Sequence, residues 1–425
     1  MARILIAIYS ILVSILMWPA GILLSRHPNF AGTILQRLGL KLPEAPRGRP
    51  LVWVHASSMG EVKAVSGLLK AIKHENPGMA VCLSTMTATG SKVASSIPDV
   101  DLVIPFPFDA PWVMRRYMLK LLPALVVIVE TEIWPSMILA AEAVGRPVVI
   151  VNGRMTEKSF RRYSRIRPLA SEILRRVDVL AMAESDGLRF SRLGAGKVRV
   201  LGNLKLDSLS EVDPDKGREM RLGLGAADRP VFIAGSIREG EEEAVFSAVQ
   251  GVASRVPGLF AILAPRHPGQ IGCLAELARK SSFAWCLKSR MEQGADLVIV
   301  DTMGELFRLY GASDAAFVGG SLVNLGGQNI LEPIAWGVPT IHGPHMDNFT
   351  WALEVVEGCT IRVGDALELE NAVVEALLNP EKHRVMAEKA LALLEAQKGV
   401  TSRYVEALKS ICAERFPGNN PLTET

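Results

Sequence analysis

The chain has 425 residues, 49% of them hydrophobic, with a formal net charge of +3 and a mean hydropathy of +0.24. That length gives room for two domains, each able to bury its own core, and so small a net charge excludes whole-chain attraction to a polyanion such as nucleic acid. Cys82, Cys273, Cys286, Cys359 and Cys412 lack CxxC spacing, which argues against a structural zinc site or a disulfide framework and fits a reducing compartment.

Ile4 to Leu24 carries no charged side chain, and about 20 such residues suffice to cross a bilayer. A secretory signal is the competing reading, but its apolar region is shorter and ends at a small-residue cleavage site not evident here. Arg3 precedes the run, while Arg26, His27, Arg37, Lys41, Arg47 and Arg49 follow it, which by the positive-inside tendency puts the bulk of the chain in the cytoplasm. Residues 1–28 are therefore expected to be a membrane anchor, and Pro19-Ala20-Gly21 leaves a seat in one leaflet open beside a full span.

A rhythm of apolar strand, small or polar turn and amphipathic helix follows. Strands are predicted at Leu51–His55, Ala80–Ser84, Leu102–Pro105, Leu125–Glu130, Val148–Asn152, Val179–Ala183 and Val198–Leu201. Near-continuous apolar strands alternating with helices mean a parallel sheet covered on both faces. The rhythm breaks over 209–228, where Pro214, glycines and mixed charges predict a linker. It resumes at Val231–Gly235, Leu259–Ala264, Leu297–Val300, Ala315–Val318 and Thr340–His342, and a helical stretch runs from about Pro380 to Cys412. The expected fold class is α/β, with two doubly wound Rossmann-like domains facing across a cleft. They cover 29–208 and 229–425, the latter including the last helix. Such sheets bind ligands beyond their strand C-termini.

Several candidate groups sit at those strand ends. Leu51 to Val62 reads as strand, turn and helix, placing Glu61 either as a base for a substrate hydroxyl or as an ordinary first-turn acid favoured by the helix dipole. His55 is a second candidate base. The apolar strand Leu125–Glu130 delivers Glu130 and Glu132, which are costly there unless paired, hydrated or in a cleft. Arg154 and Lys205 bring cations to the same edge. The basic clusters Arg115, Arg116, Lys120 and Arg161, Arg162, Arg165, Arg167 suit anionic lipid or substrate, or are solvated helix faces.

In the second half, Arg266 follows Pro265 at a strand end and suits bidentate phosphate binding. Met303, Gly304 and Glu305 form a turn before a helix. In residues 318–348, Gly319-Gly320 and Gly326-Gly327 lead through Gln328 and Asn329 to Ile330, Leu331 and Glu332. Glycines allow close backbone approach, and a helix N-terminus attracts an anion, so the segment reads as a nucleotide-sugar cradle. Asp99-Val100-Asp101 and Asp213-Pro214-Asp215 are chance-level metal patterns, with no HExxH or clustered His/Cys set beside them.

His55–Glu61, Glu130–Pro135, Gly202–Lys205, Pro265–Pro268, Asp301–Leu306 and Gly319–His345, taken in order, resemble the Kdo transferases, which move 3-deoxy-D-manno-octulosonic acid (Kdo) from its CMP-activated form onto a lipid A precursor. The resemblance implies a GT-B fold and an inverting glycosyltransferase of lipopolysaccharide biosynthesis at the bacterial inner membrane, catalytic domains on the cytoplasmic face. It implies Glu61 as general base, Glu130 and Lys205 as transition-state stabilisers with Glu132 nearby, and Pro265, Arg266, Met303, Gly304, Glu305, Asn329, Ile330, Leu331 and Glu332 as the segments holding CMP. CMP-Kdo enters as substrate, and no metal, cofactor, nucleic acid or obligate protein partner is expected. Gln328, Ile330, Ile237-Arg238 and Gly153 depart from the commoner family pattern. The other readings are a GT-B transferase or epimerase using a UDP-sugar, and a catalytically silent nucleotide-sugar binding protein.

Overall fold

The structure, a computed structural model, describes residues 2–24, 30, 32–46, 48–207, 209, 212–416 and 421–422. The chain divides into two compact units, Met1–Ser208 with Gly399–Thr425, and Leu209–Lys398.

In the first unit, β1 (Leu51–His55), β2 (Ala80–Thr85), β3 (Leu102–Pro105), β4 (Leu125–Val129), β5 (Val148–Gly153), β6 (Asp178–Ala181) and β7 (Lys197–Val200) form one sheet in the order β3-β2-β1-β4-β5-β6-β7. Every pairing is parallel. β1, β4 and β5 are buried along their whole length, as strands sandwiched between helices must be. Trp53 is fully buried, its indole N–H donating to Ser84 Oγ at 3.0 Å.

The second unit repeats the plan. β8 (Val231–Ile237), β9 (Phe260–Pro265), β10 (Trp285–Leu287), β11 (Leu297–Ile299), β12 (Ala315–Val318), β13 (Thr340–His342) and β14 (Ile361–Arg362) pair in parallel in the order β10-β11-β9-β8-β12-β13-β14. Alternate residues feed two cores: Phe232, Ala234 and Phe317 on one face, Ile233, Phe260 and Tyr310 on the other. Two parallel-sheet α/β units are consistent with a GT-B fold.

The expected boundaries shift in three places. The presumed linker contains a helix, Pro214–Gly223, with Asp213 accepting from Asp215 N at 3.2 Å and proline at the start, where a missing N–H does no harm. Arg221 in this helix forks onto Asp314 at 2.8 and 2.9 Å, tying it to the second unit. The last predicted helix is two, Pro380–Ala396 and Val400–Arg415, parted at Gly399 with φ 78°. The later helix belongs to the first unit rather than to a 229–425 domain, because its apolar face packs on helix Met59–Glu75 and Asp207 accepts from Gly399 N and Thr401 N at 2.9 and 2.6 Å.

The N-terminal helix Ala2–Leu24 forms as expected, but among the described residues no helix is long and apolar enough to cross a membrane. A transmembrane anchor is therefore not supported. One face of the helix is committed to protein: Met17 is buried, Ile6 and Val13 pack on the core, Tyr9 donates to Asp109 at 2.6 Å and Trp18 stacks on Trp112. Ile4, Ile8, Ile11 and Ile15 form an exposed stripe on the other face, at the i, i+4, i+7 spacing of an amphipathic helix. Arg26, His27, Arg47 and the boundary expected at 28/29 lie outside the described residues.

One buried hydroxyl adds to the hold on the C-terminal helix. Tyr404 OH accepts from Asn152 N at 3.2 Å and lies 3.2 and 3.0 Å from the carbonyl oxygens of Leu180 and Gly202. Tyr404→Phe leaves these buried groups unmet and is expected to cost about 1–3 kcal/mol, read as a lower urea midpoint at unchanged m-value.

Candidate active site

Helix Met59–Glu75 starts directly past β1, and Ser58 Oγ accepts from Glu61 N at 3.4 Å. Glu61 reaches back, Oε2 accepting from Ser57 N at 2.6 Å and Oε1 from the Ser58 hydroxyl at 3.0 Å. Ser-x-x-Glu is the capping-box pattern, and here it fixes the carboxylate from two sides. Burial pushes the Glu61 pKa up to about 7, with the Glu130 charge next and Glu132 a smaller contribution, against the bonds from Ser57 and Ser58. A carboxylate near neutrality is suited to exchange a proton with a substrate hydroxyl.

Glu130 follows β4, the parallel neighbour of β1. Its φ of 61° is left-handed, a conformation that costs a non-glycine residue energy and recurs at functional sites. Glu130 N donates to Val151 O at 2.9 Å, which holds the turn. Lys205 Nζ lies 3.6 Å from Glu130 Oε1. The lysine is placed by Asn203 Oδ1, which accepts from Lys205 N at 3.0 Å, and by Asn152 Oδ1, which accepts from Leu204 N at 3.0 Å. Asn152 is fully buried and left-handed, a conformation asparagine tolerates better than most residues.

Glu132 is also raised by burial, the Glu130 charge adding to the shift, and its Oε2 lies 4.0 Å from His55 Nε2. Complete burial pushes His55 down to about 3, so the imidazole is neutral. Its Nδ1 is 3.1 Å from both oxygens of Ser84, and its ring stacks 3.8 Å from Phe106. His55 is a core group beside Glu132, not a second base. Arg154 O accepts from the Thr131 hydroxyl, linking the turns after β4 and β5.

Sequence reasoning missed Asp109. Its Oδ2 accepts from Tyr9 OH and from Ser136 N at 3.0 Å, and Oδ1 from Met137 N at 2.9 Å. Asp109 thereby pins the start of helix Pro135–Ala143, and with it the end of the Glu130–Trp134 turn, to the N-terminal helix. A lone acid in the apolar stretch Phe106–Pro111 was the only signal.

In the second unit the predicted segments follow β11 and its neighbour β9, and β12, with β8 between β9 and β12. Pro265 ends β9 and Arg266 is exposed, its N donating to Ile237 O at 2.8 Å. Met303 is exposed, Gly304 has φ 84°, and Glu305 bonds the Thr302 hydroxyl. Asn329 Nδ2 donates to Glu332 Oε1 at 3.1 Å, while Asn329 Oδ1 accepts from Leu331 N at 3.2 Å. Burial raises the Glu332 pKa against the Asn329 bond and the Arg266 charge. The side chains of Ile330 and Leu331 are buried.

The glycine loop differs from the expected open cradle. Fully buried Glu241 accepts from Gly320 N at 2.5 Å, Ser321 N at 2.8 Å and Leu322 N at 2.7 Å, and from Arg238 N at 3.0 Å. The amides that would suit a phosphate are thus met from within the unit. Gly319 is required by close approach, since a Cβ there would lie 2.6 Å from Ser236 O.

The two-aspartate patterns are structural. Asp101 pairs with Arg49 at 2.9 Å and Lys73 at 2.7 Å, and Asp213 caps its helix. Among the described residues no group of three or more His, Cys, Asp or Glu is placed to hold a metal ion.

Residues 33–208 match the family profile described as 3-deoxy-D-manno-octulosonic-acid transferase (kdotransferase), a span that includes Glu61, Glu130 and Lys205. The 3-deoxy-D-manno-octulosonic acid transferase of Haemophilus influenzae is 30% identical over 404 residues, 92% of this chain and 93% of that one. The Bordetella pertussis enzyme of the same name is 33% identical over 400 residues, 89% of this chain and 91% of that one. The chain belongs to the 3-deoxy-D-manno-octulosonic acid transferase family. It is a glycosyltransferase, a Kdo transferase by membership. A Rickettsia africae glycosyltransferase structure aligns at a TM-score of 0.61 over 88% of this chain and 100% of that one, at 14% identity, a likeness of fold alone.

Glu241→Ala strips the glycine loop of its internal acceptor. Several buried amides left unmet, at roughly 1–3 kcal/mol each, are expected to lower the thermal midpoint by more than Glu239→Ala does in the same turn, as differential scanning calorimetry would read.

Proposed function

We propose that this Kdo transferase moves Kdo from CMP-Kdo to a hydroxyl of a lipid A precursor with inversion at the anomeric carbon. The observation that carries this reading is Glu61, fixed by Ser57 and Ser58 and raised to about 7 beside Glu130, in a chain of this family. Glu61 takes the acceptor hydroxyl proton as the oxygen attacks, the bond from the anomeric carbon to the CMP phosphate breaks, and CMP departs. Glu130 and Lys205 stabilise charge that develops in the transition state, with Glu132 beside them. Pro265 and Arg266, Met303 to Glu305 and Asn329 to Glu332 hold the nucleotide. Arg266 is the group for phosphate, and Glu332 accepts from ribose hydroxyls. A phosphate-linked leaving group with one base and one cation makes the proposal a metal-free one, with no resident cofactor.

We place the enzyme on the cytoplasmic face of the inner membrane. The exposed isoleucine stripe of helix Ala2–Leu24, seated in one leaflet, supports this, and the acceptor is itself a lipid. The clusters at Arg115, Arg116 and Lys120 and at Arg161 to Arg167 suit anionic headgroups.

Incubation of the detergent-solubilised chain with CMP-Kdo and tetra-acylated lipid A precursor is expected to add one or more Kdo masses and release CMP, read by mass spectrometry. Glu61→Ala is expected to lower transfer by about 10²–10⁴-fold while CMP binding persists. Near-wild-type turnover in that variant would remove Glu61 from the mechanism, and competition by UDP rather than CMP would move the donor to another sugar nucleotide.

The base works only when ionised, so kcat/KM is expected to rise with pH to a plateau above about 7. Glu130→Gln removes the adjacent like charge and is expected to move this limb to lower pH in the residual activity. An unmoved limb would show that a different group titrates.

A further inference from the structure

The first unit has a concave site at the opposite end of its sheet from Glu61, Glu130 and Lys205. A cavity of about 370 Å³ opens at the starts of β5 and β6, and four of its nine lining residues are arginines: Arg146, Arg175, Arg176 and Arg415. They come from the turn before β5, the turn before β6 and the end of helix Val400–Arg415.

The acids there are already engaged. Arg176 bonds Glu142 Oε2 and Glu172 Oε1, each at 2.8 Å, and Arg175 also pairs with Glu172. Part of this is helix chemistry, since helices Pro135–Ala143, Arg167–Leu174 and Val400–Arg415 all end nearby and cations suit helix C-termini. That reading accounts for Arg176, which also bonds Glu172 O, and for Arg415 in the last turn of its own helix, but not for Arg146. The ion pairs at the cavity are made by Arg175 and Arg176, while the charge of Arg415 acts on Asp178 and Glu414. Arg146 lies over the Phe416 ring at 5.5 Å, and its buried Nε meets no acceptor among the described residues. A buried guanidinium donor without an acceptor is unfavourable, and its planar fork matches the oxygens of a phosphate.

We propose that this cavity is a binding site for a phosphate-class oxyanion, held by Arg146 and Arg415 and separate from the catalytic groups. The phosphate is supplied either free in solution or by a lipid headgroup. Helix Arg167–Leu174, which ends at the cavity, also packs against the N-terminal helix with its exposed apolar stripe. The proposal does not rest on the reaction assigned above.

The test is isothermal titration of the full chain in detergent with sodium phosphate, ionic strength held constant with sodium chloride. Wild type is expected to bind saturably, and Arg146→Gln/Arg415→Gln about tenfold or more weaker, as loss of charge-assisted hydrogen bonds implies. Arg415 is exposed at its helix end, so Arg415→Gln alone keeps the fold and is expected to weaken binding measurably. Arg266→Ala, in the other unit, controls for phosphate at the nucleotide segments and is expected to leave this binding intact. Flotation on phosphatidylcholine vesicles with and without phosphatidic acid separates the sources. Extra retention on phosphatidic acid that the double variant loses assigns a headgroup, and its absence beside phosphate binding assigns a free phosphate. Wild-type affinity in the double variant, loss of all phosphate binding in Arg266→Ala, or phosphate binding no better than chloride would each overturn the proposal.

Discussion

Parallel pairing of β1 with β4 sets the electrostatics on which the first unit's site is built. It carries Glu61 and Glu130 to the same sheet edge, with Glu132 one turn further, and three carboxylates crowded there cannot all ionise freely. The protein resolves the crowding unevenly. Glu130 receives the cation of Lys205, whereas Glu61 receives two neutral donors that orient it without removing its affinity for a proton. One acid thereby has an ion-pair partner, and the other is held poised for proton transfer near neutral pH.

The second unit handles negative charge in the opposite sense. The amides of Gly320, Ser321 and Leu322 all donate to Glu241. Cationic character at this edge falls to Arg266, whose charge also reaches Glu332. A nucleotide held there meets a side-chain cation and a buried carboxylate rather than a bare backbone nest. The arrangement suits a ligand with both a phosphate and hydroxyls.

Much of this architecture was legible because buried parallel strands write themselves as apolar runs, and β1, β3, β12 and β13 fall where the pattern puts them. The strands that went unseen, Trp285–Leu287 and Ile361–Arg362, are edge strands of three residues and two, too short and too mixed to show a period. Helix Pro214–Gly223 was hidden by the proline and glycines that read as linker, although Asp213-Pro214 is a good helix start. Glu61, Glu130 and Lys205 could be named from local motifs. Asn152, Asp109 and Glu241 could not, because their partners are brought to them only by tertiary contacts. The N-terminal helix was legible as apolar but not as one-sided, since Tyr9 and Met17 look like any other members of an oily run until Asp109 and the core appear.

The return of Gly399–Thr425 to the first unit makes residues 209–398 an insertion within it, and the Asp207 clasp on Gly399 and Thr401 brings the two ends of that insertion together. This fixes an order of events during synthesis. The second unit is contiguous and has all its strands once the ribosome has passed Lys398. The first, although begun earlier, lacks the helix carrying Tyr404 until Val400–Arg415 has been made, so it cannot be completed before the second.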